Sequence, residues 1–193
     1  EELINKWNLE KKDQDKETSV PIKPITFWIE NTTPYELRPI IKNAVLAWNI
    51  AFEEAGFIDA IEVKIQPDDA DWTAGDIRYN VLRWTSSPNP PFGGYGPSFT
   101  NPRTGEILGA DIMLEWIYLT NRVRYSEIFE NQEIPENDFC HNSLIKQENR
   151  IFGKLATESL DLYENEISRL YEEDLYQLIL HEVGHTLGLN HNF

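Results

Sequence analysis

Three of the four histidines of the chain lie within a short window near its C-terminus, at positions 181, 185 and 191. His181 and His185 are four residues apart, so on a helix their side chains lie one turn apart on the same face. A continued helix would place His191 about 9 Å beyond His185, at ~1.5 Å per residue. The three imidazoles can meet only if the helix ends between them. Gly188 lies where that break is needed, because glycine accepts the left-handed backbone conformation at low cost.

Three converging imidazoles predict a metal site. Zinc binds histidine nitrogens at ~2.0–2.1 Å, and three protein ligands leave its fourth position open, as in catalytic rather than structural sites. Glu182 lies about 100° around the helix from His181, so it can reach a water at the metal without being a ligand. We therefore predict Zn²⁺ bound by His181, His185 and His191, with Glu182 as general base in the hydrolysis of a peptide bond. An ordinary helix end with incidental histidines is the alternative.

The sequence of residues 181–191, HEVGHTLGLNH, has the extended HExxHxxGxxH form and so resembles the metzincin zinc proteases. Residues 44–49, 76–79 and 101–112 resemble a bacterial family of exported zinc-dependent metalloproteases. That family is similar to matrixins and to the metalloprotease subunit of some AB-type toxins. The resemblance covers roughly residues 21–193. It implies a secreted, periplasmic or cell-surface enzyme, with a twisted sheet over the active-site helix and a peptide substrate running along an edge strand.

The hydrophobic pattern predicts an α+β (mixed α/β) domain with about four to five strands. Strands are expected at 25–30, 61–65, 76–84 and 106–116, where β-branched and aromatic residues alternate with polar ones. A long first helix is expected from an N-cap at Thr33 to a stop at Gly56. Residues 153–189 are predicted to be helical, with a break near 172–174.

The domain boundaries follow from composition. Residues 1–20 are rich in Lys, Asp and Glu and are interpreted as a polar linker or loosely docked segment. Residues 21–193 are interpreted as the N-terminal part of a zinc metalloprotease catalytic domain. Metzincins carry a methionine-containing turn downstream of the third histidine, whereas the single methionine here is Met113. We expect the C-terminal subdomain to lie beyond residue 193, and this chain alone to have little peptidase activity.

Charge and composition narrow the range of partners. The formal net charge is −16, which disfavours nucleic acid and anionic membrane surfaces, because both attract Lys- and Arg-rich surfaces. No stretch approaches the ~20 apolar residues of a membrane span. The single cysteine, Cys140, excludes an internal disulfide. A protein or peptide is the expected partner.

Substrate contacts are predicted in the segment Leu108–Met113, mainly from the resemblance. As an edge strand it would hydrogen-bond an extended peptide, and its candidate substrate-binding residues are Leu108, Gly109, Ala110 and Asp111. An interior strand is the rival interpretation. Residues 85–105 are predicted to form a long irregular loop, in which the Gly-Gly-Tyr-Gly sequence at 93–96 either overhangs the cleft or is plain surface.

Two further clusters have alternative interpretations. The carboxylates of Asp68, Asp69 and Asp71 offer oxygen ligands for Ca²⁺, or form a solvated turn. Cys140 and His141 could supply a fourth zinc ligand and close the site, or be a free thiol and a surface histidine. Five of the six tryptophans are interpreted as core residues, at positions 28, 48, 72, 84 and 116.

Two rival functions remain beside a peptide-bond hydrolase. A non-catalytic zinc-binding or adhesion domain would keep the metal but not the reaction, so chelator-sensitive hydrolysis of casein separates the two. The enzymatic subunit of a multi-chain toxin would have the same chemistry but would co-purify with a binding oligomer.

Overall fold

The computed structural model describes residues 3–87, 94–115 and 164–191. These residues divide into two compact units. The first contains residues 3–85, 94–114 and 176–191, and the second contains 86–87, 115 and 164–175. Cys140 and His141 lie outside the described residues, as does Trp116.

A mixed sheet forms the centre of the first unit. Its strands in the described part of the chain are β1 Lys6–Trp7, β2 Ile25–Ile29, β3 Ile61–Ile65, β4 Asn80–Thr85, β5 Gly94–Tyr95, β6 Ser98–Thr100 and β7 Glu106–Glu115. β2 is parallel to both β3 and β4, and the strands follow the order β1-β7-β4-β2-β3. β1 is parallel to β7, while β5 and β6 run antiparallel to it. This confirms the mixed α/β prediction, with seven strands in the described part of the chain.

The helices are α1 Arg38–Leu46, α2 Asn49–Glu54 and α3 Glu164–Thr186. The predicted first helix is therefore interrupted at 47–48. Its predicted N-cap is wrong, because the N-cap is Leu37 and Thr33 instead donates its backbone N–H to Glu30 O in a preceding turn. The predicted break near 172–174 is also absent, since α3 continues through these residues.

The core of the first unit lies between the sheet and α1. Ile25, Phe27 and Ile29 alternate along β2 and are at most 3% exposed, as the period of two in a strand requires. They share the core with Ile41 and Val45 of α1, which contacts both β2 and β3. Each such side chain contributes about 1.5–3 kcal/mol on burial. The first helix is thus fixed against the parallel strands.

Backbone hydrogen bonds join parts of the N-terminal segment to the sheet. Lys6 donates its backbone N–H to Gly105 O at 3.0 Å, and β1 continues as a parallel pair with β7. Ser19 is buried and bridges to Phe57. A charged composition therefore reflects exposed side chains here, while the backbone is paired with the domain.

The third predicted strand begins later than expected, at Asn80 instead of Asp76. Asp76 and Tyr79 are joined by a turn in which the Tyr79 N–H donates to Asp76 O. The Asp76 carboxylate accepts from the guanidinium and the backbone N–H of Arg78, which lowers its pKa to about 2. These local bonds compete with strand pairing. The loop predicted at 85–105 contains two short strands, β5 and β6.

The edge-strand prediction for Leu108–Met113 is wrong, because β7 is an interior strand. It is bonded to β4, and it also pairs with β5 and β6. Backbone groups of the predicted substrate residues are engaged: Ala110 N–H donates to Asn80 Oδ1, and Asp111 N–H donates to Pro97 O. A substrate cannot pair with those groups unless the sheet opens.

Asp111 has a different role within the sheet. Its carboxylate accepts from Val81 N–H at 3.5 Å, and burial raises its pKa. The folded chain therefore holds this proton more tightly than the unfolded chain, so the free energy of unfolding falls as pH rises from ~3.9 through the folded pKa.

Replacing Asp111 with asparagine should remove this pH-dependent loss. The melting temperature of Asp111→Asn minus that of the wild type is expected to be larger at pH 7.5 than at pH 4. Thermal unfolding at the two pH values measures it, with the exposed Asp68→Asn as control. A relative melting temperature of Asp111→Asn that is the same at both pH values would contradict the assignment.

Candidate metal centre

The helix α3 ends at Thr186, between the second and the third histidine. Gly188 has φ +97°, and its N–H donates to His185 O, while Leu189 N–H donates to Gly184 O. This pair of bonds is the Schellman arrangement, which satisfies the last carbonyls of a helix and reverses the chain. The predicted break at Gly188 is confirmed, and it returns the chain toward the helix so that His191 faces the two ligands on α3.

The three imidazoles converge through their Nε2 atoms. The distances are 3.1 Å between His181 and His185, 3.0 Å between His185 and His191, and 3.0 Å between His191 and His181. A tetrahedral zinc ion at ~2.0–2.1 Å from its ligands holds them about 3.3 Å apart. The nitrogen triangle therefore fits one such ion. Within the described ranges, the three histidines form a group whose ring nitrogens lie close enough together to hold one metal ion.

One hydrogen bond fixes the tautomer of the central ligand. His185 Nδ1 lies 2.8 Å from Leu189 O. A carbonyl oxygen only accepts, so Nδ1 carries the proton and Nε2 presents a lone pair to the metal position. Such a second bond orients a ligating histidine and raises its basicity. The Schellman turn thus supplies both the oxygen that orients His185 and the reversal that brings in His191.

Glu182 is a buried carboxylate beside the ligands. It is 8% exposed. Burial raises its pKa, while a hydrogen bond from the Gly96 N–H acts to lower it. The side chain is therefore held in a mostly desolvated position with a fixed donor, and its pKa is shifted in the direction that a proton acceptor near neutral pH needs.

Two glycines allow the sheet to approach Glu182 closely. A Cβ on Gly94 would lie 2.8 Å from Glu182 Cγ, and a Cβ on Gly96 would lie 2.6 Å from Glu182 O. Neither position admits a side chain without displacement of the glutamate or its helix. The Gly-Tyr-Gly part of the glycine-rich loop therefore lies against the site, which decides between the two predicted placements.

Substituting Gly94 with alanine should displace the Glu182 carboxylate without removing a metal ligand. We expect kcat of the full-length protein to fall by about 10–10²-fold, since ~1 Å of misplacement at a site has that effect, with zinc content unchanged. Gly75→Ala is the matched control, because a Cβ there meets nothing within 4 Å. An unchanged rate in Gly94→Ala would show that the close approach is not needed.

Trp48 supports the same helix, a role that the core interpretation missed. Its indole N–H donates to Leu180 O at 3.0 Å, and a Cβ on Gly184 would lie 3.0 Å from its ring. The sequence signal was the glycine between the two ligand histidines, which permits an aromatic ring to lie against the helix.

The predicted calcium site is not supported. Asp68, Asp69 and Asp71 are exposed, and they do not form a metal-binding group within the described ranges. Cys140 and His141 lie outside those ranges, so the closed-site alternative stays a prediction.

Comparison with known families supports the reading of the C-terminal helix. Residues 164–193 match the family model described as Met-zincin. The chain is similar to that family over this segment. It contains all of the converging histidines and Glu182, and the mixed α/β fold is consistent with the metzincin type. No curated protein and no solved structure matches the chain. Within the described residues, none of the helices combines the length and the apolar character of a membrane span.

Proposed function

We propose that this protein is a zinc-dependent endopeptidase. The observation that carries the proposal is the triangle of Nε2 atoms at 3.0–3.1 Å beside the buried carboxylate of Glu182. His181, His185 and His191 hold the zinc, and Glu182 is the general base. The metzincin match supports a metalloprotease-type hydrolase, and the endopeptidase activity is our extension of it.

Zinc, when bound, acts as a Lewis acid toward a carbonyl oxygen and lowers the pKa of water toward ~7. The residues of the chain supply the general base and hold it in position. Glu182 accepts a proton from the attacking water and can deliver it to the leaving amine. The Gly96 N–H holds its carboxylate in place, and burial excludes competing water, so the position of the base is set before the substrate arrives.

The substrate lies along β5 in this proposal, instead of along Leu108–Asp111. β5 is Gly94–Tyr95, and its glycine contacts the Glu182 side chain. β7 lies one strand further from this contact and already pairs with β5 at Met113 and Leu114. An extended peptide beside β5 would present its carbonyl to the metal position and its amide nitrogen to Glu182.

Hydrolysis of casein or a quenched-fluorescence peptide by the full-length protein tests the proposal. Activity should be abolished by a chelator and restored by one equivalent of zinc. Hydrolysis that persists in the metal-free protein would contradict it. Zinc binding without hydrolysis of any peptide would favour a non-catalytic zinc-binding domain.

A further inference from the structure

The N-terminal segment lies against the turn that separates the second and third histidines. The Trp7 indole Nε1–H donates to Thr186 O at 2.9 Å. Thr186 is the last residue of α3 and follows His185 directly. The bond therefore joins residues 179 positions apart in sequence, and it ends on a carbonyl at the C-terminus of the helix, where acceptors lack partners within the helix.

The backbone of Asn5 is in contact with the glycine at which the chain reverses. A Cβ on Gly188 would lie 2.2 Å from Asn5 O and 3.0 Å from Asn5 C. Glycine is required at this position for two reasons. Its φ of +97° is strained for other residues, and a side chain would collide with the backbone of Asn5. The conformation of the turn is thus restricted by contact with the N-terminal segment and by the hydrogen bonds within the turn.

The segment is itself anchored to the sheet. Lys6 N–H donates to Gly105 O, and Lys6 and Trp7 pair with Glu106 and Ile107. A Cβ on Gly105 would lie 2.4 Å from Ile4 O, so the chain is closely packed on this side too. We call residues Asn5–Trp7 the N-terminal brace, because they connect the sheet to the turn after the helix.

We propose that Trp7 is a positioning residue for the metal centre, acting through the N-terminal brace. The braced turn carries Leu189 O, which orients His185, and leads into His191. Two of three ligands thus depend on the conformation of residues 187–190. Bonds that orient ligands without touching the metal typically change metal affinity by 10–100-fold. The inference rests on the zinc site of the proposed function and adds a determinant outside residues 164–193, which match the Met-zincin model.

The substitution Trp7→Phe tests this role, because it removes the indole N–H and keeps an aromatic ring. The zinc dissociation constant, measured by competition with a chromophoric chelator, should rise about three- to tenfold, the effect of one lost hydrogen bond. Trp28→Phe is the matched control: Trp28 is half-buried like Trp7 but packs on Trp72 and Tyr79. The zinc dissociation constant of Trp28→Phe should stay within about twofold of that of the wild-type chain.

A second measurement uses the wild-type chain and does not depend on how the variant folds. Because linkage is reciprocal, zinc must stabilise the brace by the factor by which the brace favours zinc. Zinc should therefore slow hydrogen exchange of the Trp7 indole N–H about three- to tenfold, while exchange of the indole N–H of the half-buried Trp28, which packs on Trp72 and Tyr79, is unaffected.

The outcomes separate this inference from the proposed function. Absence of zinc binding in the wild-type chain would overturn the zinc site itself. Zinc binding with equal dissociation constants for Trp7→Phe and Trp28→Phe, or with unchanged exchange of the Trp7 indole, would overturn the role of Trp7 and leave the zinc site standing.

Discussion

Replacing Glu182 with glutamine should leave zinc bound and lower kcat of the full-length protein by about 10²–10⁴-fold, the usual contribution of general acid–base catalysis. Glutamine has nearly the same shape, and its carbonyl oxygen can still accept from the Gly96 N–H. Its amide cannot accept a proton from water at neutral pH. The change therefore removes the base and keeps the geometry of the site.

The matched control is Glu172→Gln, the same substitution at an exposed position of the same helix. Steady-state kinetics and metal analysis on both variants complete the test. The assignment fails if Glu182→Gln retains more than about a tenth of the rate, or if it loses zinc, because the glutamate would then be dispensable or a ligand.

Replacing His185 with alanine should weaken zinc binding about 10²-fold or more. Apparent binding free energies of 10–16 kcal/mol for four-ligand structural zinc sites correspond to about 3 kcal/mol per ligand. His185 is also the ligand whose Nδ1–H is held by Leu189 O, so its loss removes a preorganised contact as well.

Metal analysis after dialysis against a weak chelator measures this effect, with His141→Ala as the control. We expect His185→Ala to lose its zinc and His141→Ala to keep it. Unchanged zinc in His185→Ala would exclude the three-histidine site. Loss in His141→Ala would instead favour the closed site with a fourth ligand.

The convergence of the three histidines could be predicted from the sequence because its geometry is local. The spacing of His181 and His185 fixes their common face on a helix, and Gly188 provides the reversal that brings in His191. All of these residues lie within one short segment, so helix periodicity and one glycine determine their positions.

The surroundings of the site could not be predicted because they depend on contacts between distant segments. The Gly-Tyr-Gly sequence indicates that another part of the chain packs closely against its backbone. It does not indicate that this neighbour is Glu182. Strand propensity identified Glu106–Glu115 as a strand, yet its interior place depends on pairing with β4, β5 and β6. The role of Trp7 could not be predicted, because this residue lies in a charged segment whose composition does not reveal a hydrogen bond to Thr186.

X-ray absorption at the zinc edge, recorded on the zinc-loaded chain, tests the central claim most directly. The account predicts three histidine nitrogens at ~2.0–2.1 Å, one further light atom at the open position, and no sulfur. A sulfur neighbour at ~2.3 Å would show a closed cysteine-ligated site. A shell of six oxygens would show that the three histidines do not bind the metal, and either result would contradict the account.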